Sequence, residues 1–233
     1  MCFWYGWRKN IEMTKQEKTD NYKKELMFDI GEEKAEKLFS YLDMVLDRNQ
    51  HINLTAVKDK DEAVQKHIAD SLSIRSLEEY GASDKVIDIG TGAGFPGALL
   101  AIADTDKEFV LMDATLKRLK VIDEFADTLG IGNIKTLHAR AEEISRKDEF
   151  AGQFDLAVSR AVANLSTLLG WSLPFVKKGG YFIAYKGENY QEEIEAADKS
   201  FKKFGGRLHR VVEVENAAED ISGHVLLVIE KIK

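Results

Sequence analysis

Asp88-Ile-Gly90-Thr-Gly92-Ala-Gly94-Phe-Pro96-Gly97 is the stretch that decides the fold. Val86-Ile-Asp-Ile89 runs into it as a short apolar segment that stops at the glycines, the pattern of a buried strand. Residues 98–103 leave it with a helical pattern. Strand, glycine turn and helix in that order open a βαβ unit, which is the context that gives a glycine pattern meaning. Glycines tolerate positive φ and let a backbone approach a ligand closely. The start of the following helix offers N–H groups with no partner inside the helix.

The same alternation continues downstream. Phe109–Met112, Ile134–Leu137, Phe154–Val158 and Tyr181–Tyr185 read as further strands. Helical segments lie between them, among them Leu116–Leu129 and Tyr190–Phe204. This order predicts a mostly parallel sheet covered on both faces. Arg207–Val214 and Val225–Ile232 are strand-like with no helix between them, so an antiparallel pair at one edge of the sheet is expected. Upstream, residues 14–50 read as helical, with Leu38, Leu42, Val45 and Leu46 at spacings of three and four. Residues 60–80 read as a second helical region. The expected division is an N-terminal extension over residues 1–13, a helical subdomain over 14–80 and a Rossmann-like domain over 81–233. In the extension, Met13 is the expected natural start.

Composition narrows the function. With 44% hydrophobic and 31% charged residues in 233, the chain suits a globular protein rather than a disordered one. The only cysteine is Cys2, so no intrachain disulfide forms and no cysteine-based zinc site exists. A reducing, cytoplasmic setting is expected. The five histidines show no paired metal-ligand spacing, so no metal is predicted. The longest apolar run, Phe95–Ala103, is about half of what a bilayer span needs, and no membrane partner is expected.

The loop admits two ligand classes. A dinucleotide fingerprint needs a third glycine three residues after the second. Counting from Gly90, that position is Phe95. The form present is D-x-G-x-G-x-G, with Asp88 placed to accept from loop amides or to meet a ligand ammonium. The second strand ends in Asp113, 19 residues after Gly94, where an acid can accept from ribose hydroxyls. Together these favour S-adenosylmethionine over NAD. An NAD-dependent oxidoreductase stays open at this level, and so does a loop that merely turns the chain while Asp113 caps the next helix.

The loop also resembles that of the RsmG family (glucose-inhibited division protein B). Further segments are similar: Asn53-Leu-Thr55, His67-Ile-Ala-Asp-Ser-Leu72, Asp113–Leu119, Phe154–Ala161 and Lys186-Gly187. The resemblance spans residues 14–232. It implies a class I S-adenosylmethionine-dependent methyltransferase fold and methylation of a guanosine N7 in 16S ribosomal RNA. It further implies cofactor contacts at Gly90, Phe95, Ala141, Glu142 and Arg160, to which the loop reading adds Asp88, Gly92, Gly94 and Asp113. Relatives often place an Arg before the last strand; this chain has Ser222-Gly-His224 there.

Guanine N7 carries an in-plane lone pair and no proton, so its methylation needs positioning rather than a general base. That suits a chain with no evident nucleophile. Arg160, Lys186 and His67 are the candidate RNA contacts. An ion pair of Arg160 with Asp88 or Glu142 is the competing reading. The net charge of −7 argues against indiscriminate RNA binding. Basic residues nevertheless gather at Lys117-Arg118-Lys120, Lys177-Lys178, Lys202-Lys203, Arg207 and Arg210. The expected partner is the small ribosomal subunit or an assembly intermediate, bound by a monomer. The alternative of another class is a non-catalytic S-adenosylmethionine-binding assembly factor.

Overall fold

A computed structural model describes residues 14–214 and 224–233. The expected extension over residues 1–13, and Ser222 with Gly223, lie outside the described residues. Two helices open the described residues, α1 (Lys15–Ile30) and α2 (Glu32–Arg48). A capping box starts α1: Thr14 N–H donates to Glu17 Oε2 (2.8 Å), and Glu17 N–H donates to Thr14 Oγ1 (3.3 Å). The helical reading of residues 14–50 therefore divides at Gly31, whose φ of +89° ends α1.

The region over residues 60–80 is irregular. Helix α3 (Lys60–Ala63) enters a π-helical stretch (Val64–Ala69). Then come α4 (Asp70–Leu72), a 3-10 turn (Ser73–Ser76) and α5 (Glu78–Gly81). Such π stretches are rare and often mark functional positions; this one carries His67.

Among the described residues seven strands follow: β1 (Lys85–Ile89), β2 (Glu108–Asp113), β3 (Ile134–His138), β4 (Phe154–Arg160), β5 (Val176–Lys186), β6 (Gly206–Glu213) and β7 (Val225–Lys231). Helices α6 (Gly97–Ala103), α7 (Leu116–Leu129), α8 (Ala141–Ile144) and α9 (Leu165–Ser172) connect the first five. The predicted helix over Tyr190–Phe204 is two, α10 (Tyr190–Ala196) and α11 (Asp198–Phe204). Strand order is β3-β2-β1-β4-β5-β7-β6. Only β7 runs against its neighbours, wedged between β5 and the edge strand β6.

Alternation along the strands sends side chains to two apolar layers. Val86, Phe109, Leu111, Val158 and Ile183 face α2, α6 and α7, meeting Leu38, Tyr41, Leu42, Leu99, Ile122 and Phe125. Ile87, Ile89, Met112, Phe182 and Ala184 face Leu165, Leu168, Leu169 and Phe175 on the other side. The N-terminal helices thus share one apolar layer with the sheet. Burying a large aliphatic side chain contributes about 1.5–3 kcal/mol, so α2, with Leu38, Tyr41, Leu42 and Val45 fully buried, is a structural wall. The chain winds outward from β1 to β3 and returns to β4 beside β1. That reversal opens a crevice at the C-terminal strand ends, the usual place for a ligand in such sheets.

Candidate functional site

The crevice is a cavity of about 460 Å³, within the ordinary range for small-molecule sites. Gly90, Gly92 and Phe95 form one wall, Asp113 and Arg118 a second, Ala141 and Glu142 a third. Arg160, Thr55 and His67 close it from the side of β4 and the N-terminal helices.

The loop is pinned to the end of β2. Gly90 and Thr91 N–H both donate to Met112 O (2.8 and 3.0 Å). Gly92 N–H donates to Asp113 Oδ2 at 3.0 Å, and Thr115 N–H donates to Oδ1 at 2.7 Å. Asp113 therefore ties the loop to the start of α7, and each oxygen keeps a lone pair for a further donor. Gly92, at φ +60°, is the open position: a Cβ there would meet no atom closer than Gly90 O at 4.0 Å. A glycine edge over empty space, facing a carboxylate with spare acceptor capacity, fits a nucleoside with ribose hydroxyls.

Two predicted contacts serve the loop rather than the crevice. Asp88 is fully buried and does not line the cavity. Its Oδ2 accepts from Thr91 Oγ1 (2.7 Å) and Gly97 N–H (2.9 Å). Oδ1 has no partner among the described residues. Burial pushes this carboxyl up to about 6, against the bonds from Thr91 and Gly97. Gly94 also lies off the cavity. At φ +93°, a Cβ on it would stand 2.2 Å from Tyr41 Oη, so its role is to admit α2.

Arg160 is paired, though not with Asp88 or Glu142. Its Nη1 donates to Asp70 Oδ2 (2.8 Å) and to Lys66 O (3.0 Å), across to the N-terminal helices. The guanidinium also sits over the Phe95 ring, 5.5 Å from its centroid. Burial alone would raise Asp70, but His224 and Arg160 together hold it below the usual carboxylate range.

His67 stacks on Phe95 with centroids 4.6 Å apart, and its Nε2 lies 2.8 Å from Thr55 Oγ1. Burial and then the Arg160 charge lower its pKa to about 4. The ring is neutral at pH 7, which removes it as a cation for phosphate. Lys186 is likewise spent: buried, it donates to Glu193 Oε2 (2.6 Å) and Ala163 O (2.8 Å).

The basic groups separate by strand polarity. Lys117 and Arg118 begin α7 at the crevice end. Lys177 pairs with Asp155 at the opposite end of the sheet, and Arg207 and Arg210 are bound to Glu230 and Glu79. Arg140 lines the crevice without an ion-pair partner among the described residues and is absent from the sequence expectations. So is Trp171, an aromatic on α9 that borders the cavity. Nothing in its local pattern distinguishes it.

The fold is that of the class I S-adenosylmethionine-dependent methyltransferases. A SAM-dependent methyltransferase from Aquifex aeolicus superposes with a TM-score of 0.52 at 18% identity, over 75% of this chain and 99% of that one. Methanococcus jannaschii TYW2, solved in complex with AdoMet, gives 0.52 at 19% identity over 74% and 81%. Within that class the sequence is more specific. The GidB family model, described as rRNA small subunit methyltransferase G, matches residues 34–222. Proteins named ribosomal RNA small subunit methyltransferase G are similar throughout: that of Clostridium tetani is 43% identical over 87% of this chain and 84% of its own length. That of Clostridium novyi is 40% identical over 88% and 84%. The chain belongs to this family.

Proposed function

We propose that this protein transfers a methyl group from S-adenosylmethionine to N7 of a guanosine in 16S ribosomal RNA. Family membership supports the reaction class. The observation that carries the cofactor reading is the open Gly92 edge, tied directly to the Asp113 carboxylate, both lining the cavity. Gly90 and Gly92 would flank the amino-acid end, Asp113 the ribose, and Ala141 with Glu142 the adenine. The bound cofactor supplies an electrophilic methyl group on a sulfonium. The protein's own contribution is placement. Asp113 accepts hydrogen bonds, Phe95 and His67 exclude water from one wall, and Arg160 is held still by Asp70 and Lys66 O.

No residue is needed to remove a proton, because N7 has none. The groups around the crevice agree with that demand. His67 is neutral and bonded to Thr55, and the Asp70 carboxylate is paired. Orientation of this kind converts an encounter into a near-attack arrangement and accounts for a large share of a methyl-transfer rate. Lys117, Arg118 and Arg140 at the crevice mouth suit phosphates flanking the target nucleotide, against the acidic average of the rest.

Small subunits lacking the modification, incubated with methyl-labelled S-adenosylmethionine, test the proposal. Label should enter the 16S RNA at one guanosine, and chemical cleavage specific for N7-methylguanosine should cut there. Cofactor binding without incorporation would instead make the protein an assembly factor.

A further inference from the structure

A second cavity of about 460 Å³ adjoins the first and shares Arg160, Ala161 and Val162 with it. Asp70, Asn164, Lys186, Glu193 and His224 are among its other lining residues. It contains two acids in different states. Asp70 is 1% exposed, with Oδ2 bound by Arg160 and Oδ1 3.4 Å from His224 Nδ1. Both of its oxygens are engaged. Glu193 is not. Its Oε2 accepts from Lys186 Nζ (2.6 Å) and Leu165 N–H (2.6 Å), which fixes the carboxylate, while Oε1 accepts no hydrogen bond among the described residues. The side chain keeps 27% exposure. A clamped carboxylate with one free oxygen at the edge of a cavity is an acceptor waiting for a donor.

Guanine presents N1–H and the N2 amino group as adjacent donors on its Watson–Crick edge, away from N7. Adenine presents an unprotonated N1 at the same place, which a carboxylate repels. We propose that the second cavity holds the acceptor guanine and that Glu193 is the residue that selects it, reading the N1–H and N2–H edge. This rests on the proposed methyl transfer. It goes beyond it by naming the base-reading group. Glu193 and Asn164 line the second cavity and not the first, so with N7 turned to the wall the two cavities share, the opposite edge of the ring is assigned to Glu193. As N7 bonds to the methyl carbon, the carbon–sulfur bond breaks and the positive charge passes to the purine, with no proton moved. The N1–H then becomes a stronger donor, so its bond to Glu193 tightens as the reaction proceeds.

The test measures binding of free nucleotides to the protein saturated with S-adenosylhomocysteine, followed by ligand-observed NMR. Inosine monophosphate is guanosine monophosphate without the N2 amino group. The wild type should prefer guanosine monophosphate by roughly tenfold, the worth of one hydrogen bond to a charged acceptor. Adenosine monophosphate should bind weaker still. Glu193→Gln keeps an acceptor for Leu165 N–H and should abolish the preference, and Glu193→Asp should restore part of it. Both variants should keep their S-adenosylhomocysteine affinity, which separates base reading from a merely structural role. Glu193→Gln should lower the melting temperature because buried Lys186 loses its counter-charge, so discrimination is compared on folded protein, with Glu193→Asp keeping the charge. Equal binding of the two nucleotides to the wild type, a preference that survives in Glu193→Gln, or no nucleotide binding at millimolar concentration would each overturn the assignment. Methyl incorporation into small subunits, run alongside, distinguishes the readings. Incorporation without nucleotide discrimination overturns the role of Glu193 alone, whereas absent incorporation overturns the reaction.

Discussion

Alanine at Gly94 and alanine at Gly92 should do opposite things, although the two glycines stand two residues apart in one motif. At Gly94 the φ of +93° lies outside the wells an L-residue occupies comfortably, at a cost of about 1–3 kcal/mol. The new Cβ would also stand 2.2 Å from Tyr41 Oη and 2.9 Å from the Ala98 Cβ. Tyr41 has no room to retreat, being fully buried with its ring edge-on to Phe125 at 5.5 Å. Moving it breaks the 2.9 Å bond from its hydroxyl to Ala93 O, another 1–2 kcal/mol or so. The expected loss is therefore about 2–5 kcal/mol. At Gly92 the φ of +60° is the ordinary left-handed region, and nothing is struck, so roughly 1 kcal/mol is expected. The added atoms there enter the crevice instead. Urea unfolding followed by tryptophan fluorescence, paired with calorimetric titration of S-adenosylhomocysteine, separates the two. Gly94→Ala should lose stability, and Tyr41→Phe in that background should recover part of it, a coupling that additive effects exclude. Gly92→Val should stay folded and lose at least tenfold in affinity. A Gly94→Ala protein as stable as the parent, or a Gly92→Val protein that binds normally, would refute this division of labour.

Other consequences follow from charge. Arg160→Ala strands Asp70, so it should cost about 3–5 kcal/mol in denaturant unfolding; adding Asp70→Asn should return much of that, and strictly additive losses would contradict the pairing. The folded Asp88 carboxyl titrates near 6 against 3.8 ordinarily, so the folded state keeps its proton longer. Its contribution is complete below about pH 4 and is lost as pH rises to 6, roughly 3 kcal/mol in all. Asp88→Asn should therefore gain on the parent across that window and run parallel above it; a constant offset would contradict the burial. His67 runs the other way. With a folded value about 4 against 6.5 ordinarily, its stability is present above pH 6.5 and lost as pH falls toward 4, and His67→Gln should flatten that limb. Arg140→Ala should weaken small-subunit binding and make its salt dependence shallower; an unchanged slope would remove Arg140 from the phosphate path.

Much of this was legible from residue order alone. Glycines after an apolar run predict a strand, a turn and a helix, and the acid ending β2 predicts a ligand edge. Both are consequences of local chemistry. Helix Leu116–Leu129 is read correctly because its stripe is regular and Gly130 closes it at φ +64°. Long-range pairing was not legible. The partner of Arg160 is Asp70, 90 positions away and brought in by an irregular π stretch with no simple period. Lys186 reads as a surface lysine until β5 buries it against Glu193. Asp88 and Gly94 belong to the right motif but face inward, which only packing against Tyr41 and Gly97 decides.

The central claim is that the donor lies in the crevice against the Gly90–Gly92 turn and Asp113, which are tied to each other. A crystal structure with S-adenosylhomocysteine tests it most directly. The ribose should sit within hydrogen-bonding distance of Asp113, with adenine beside Ala141 and Glu142 and the sulfur toward Arg160. Clear density for the ligand anywhere else in the molecule would contradict the account.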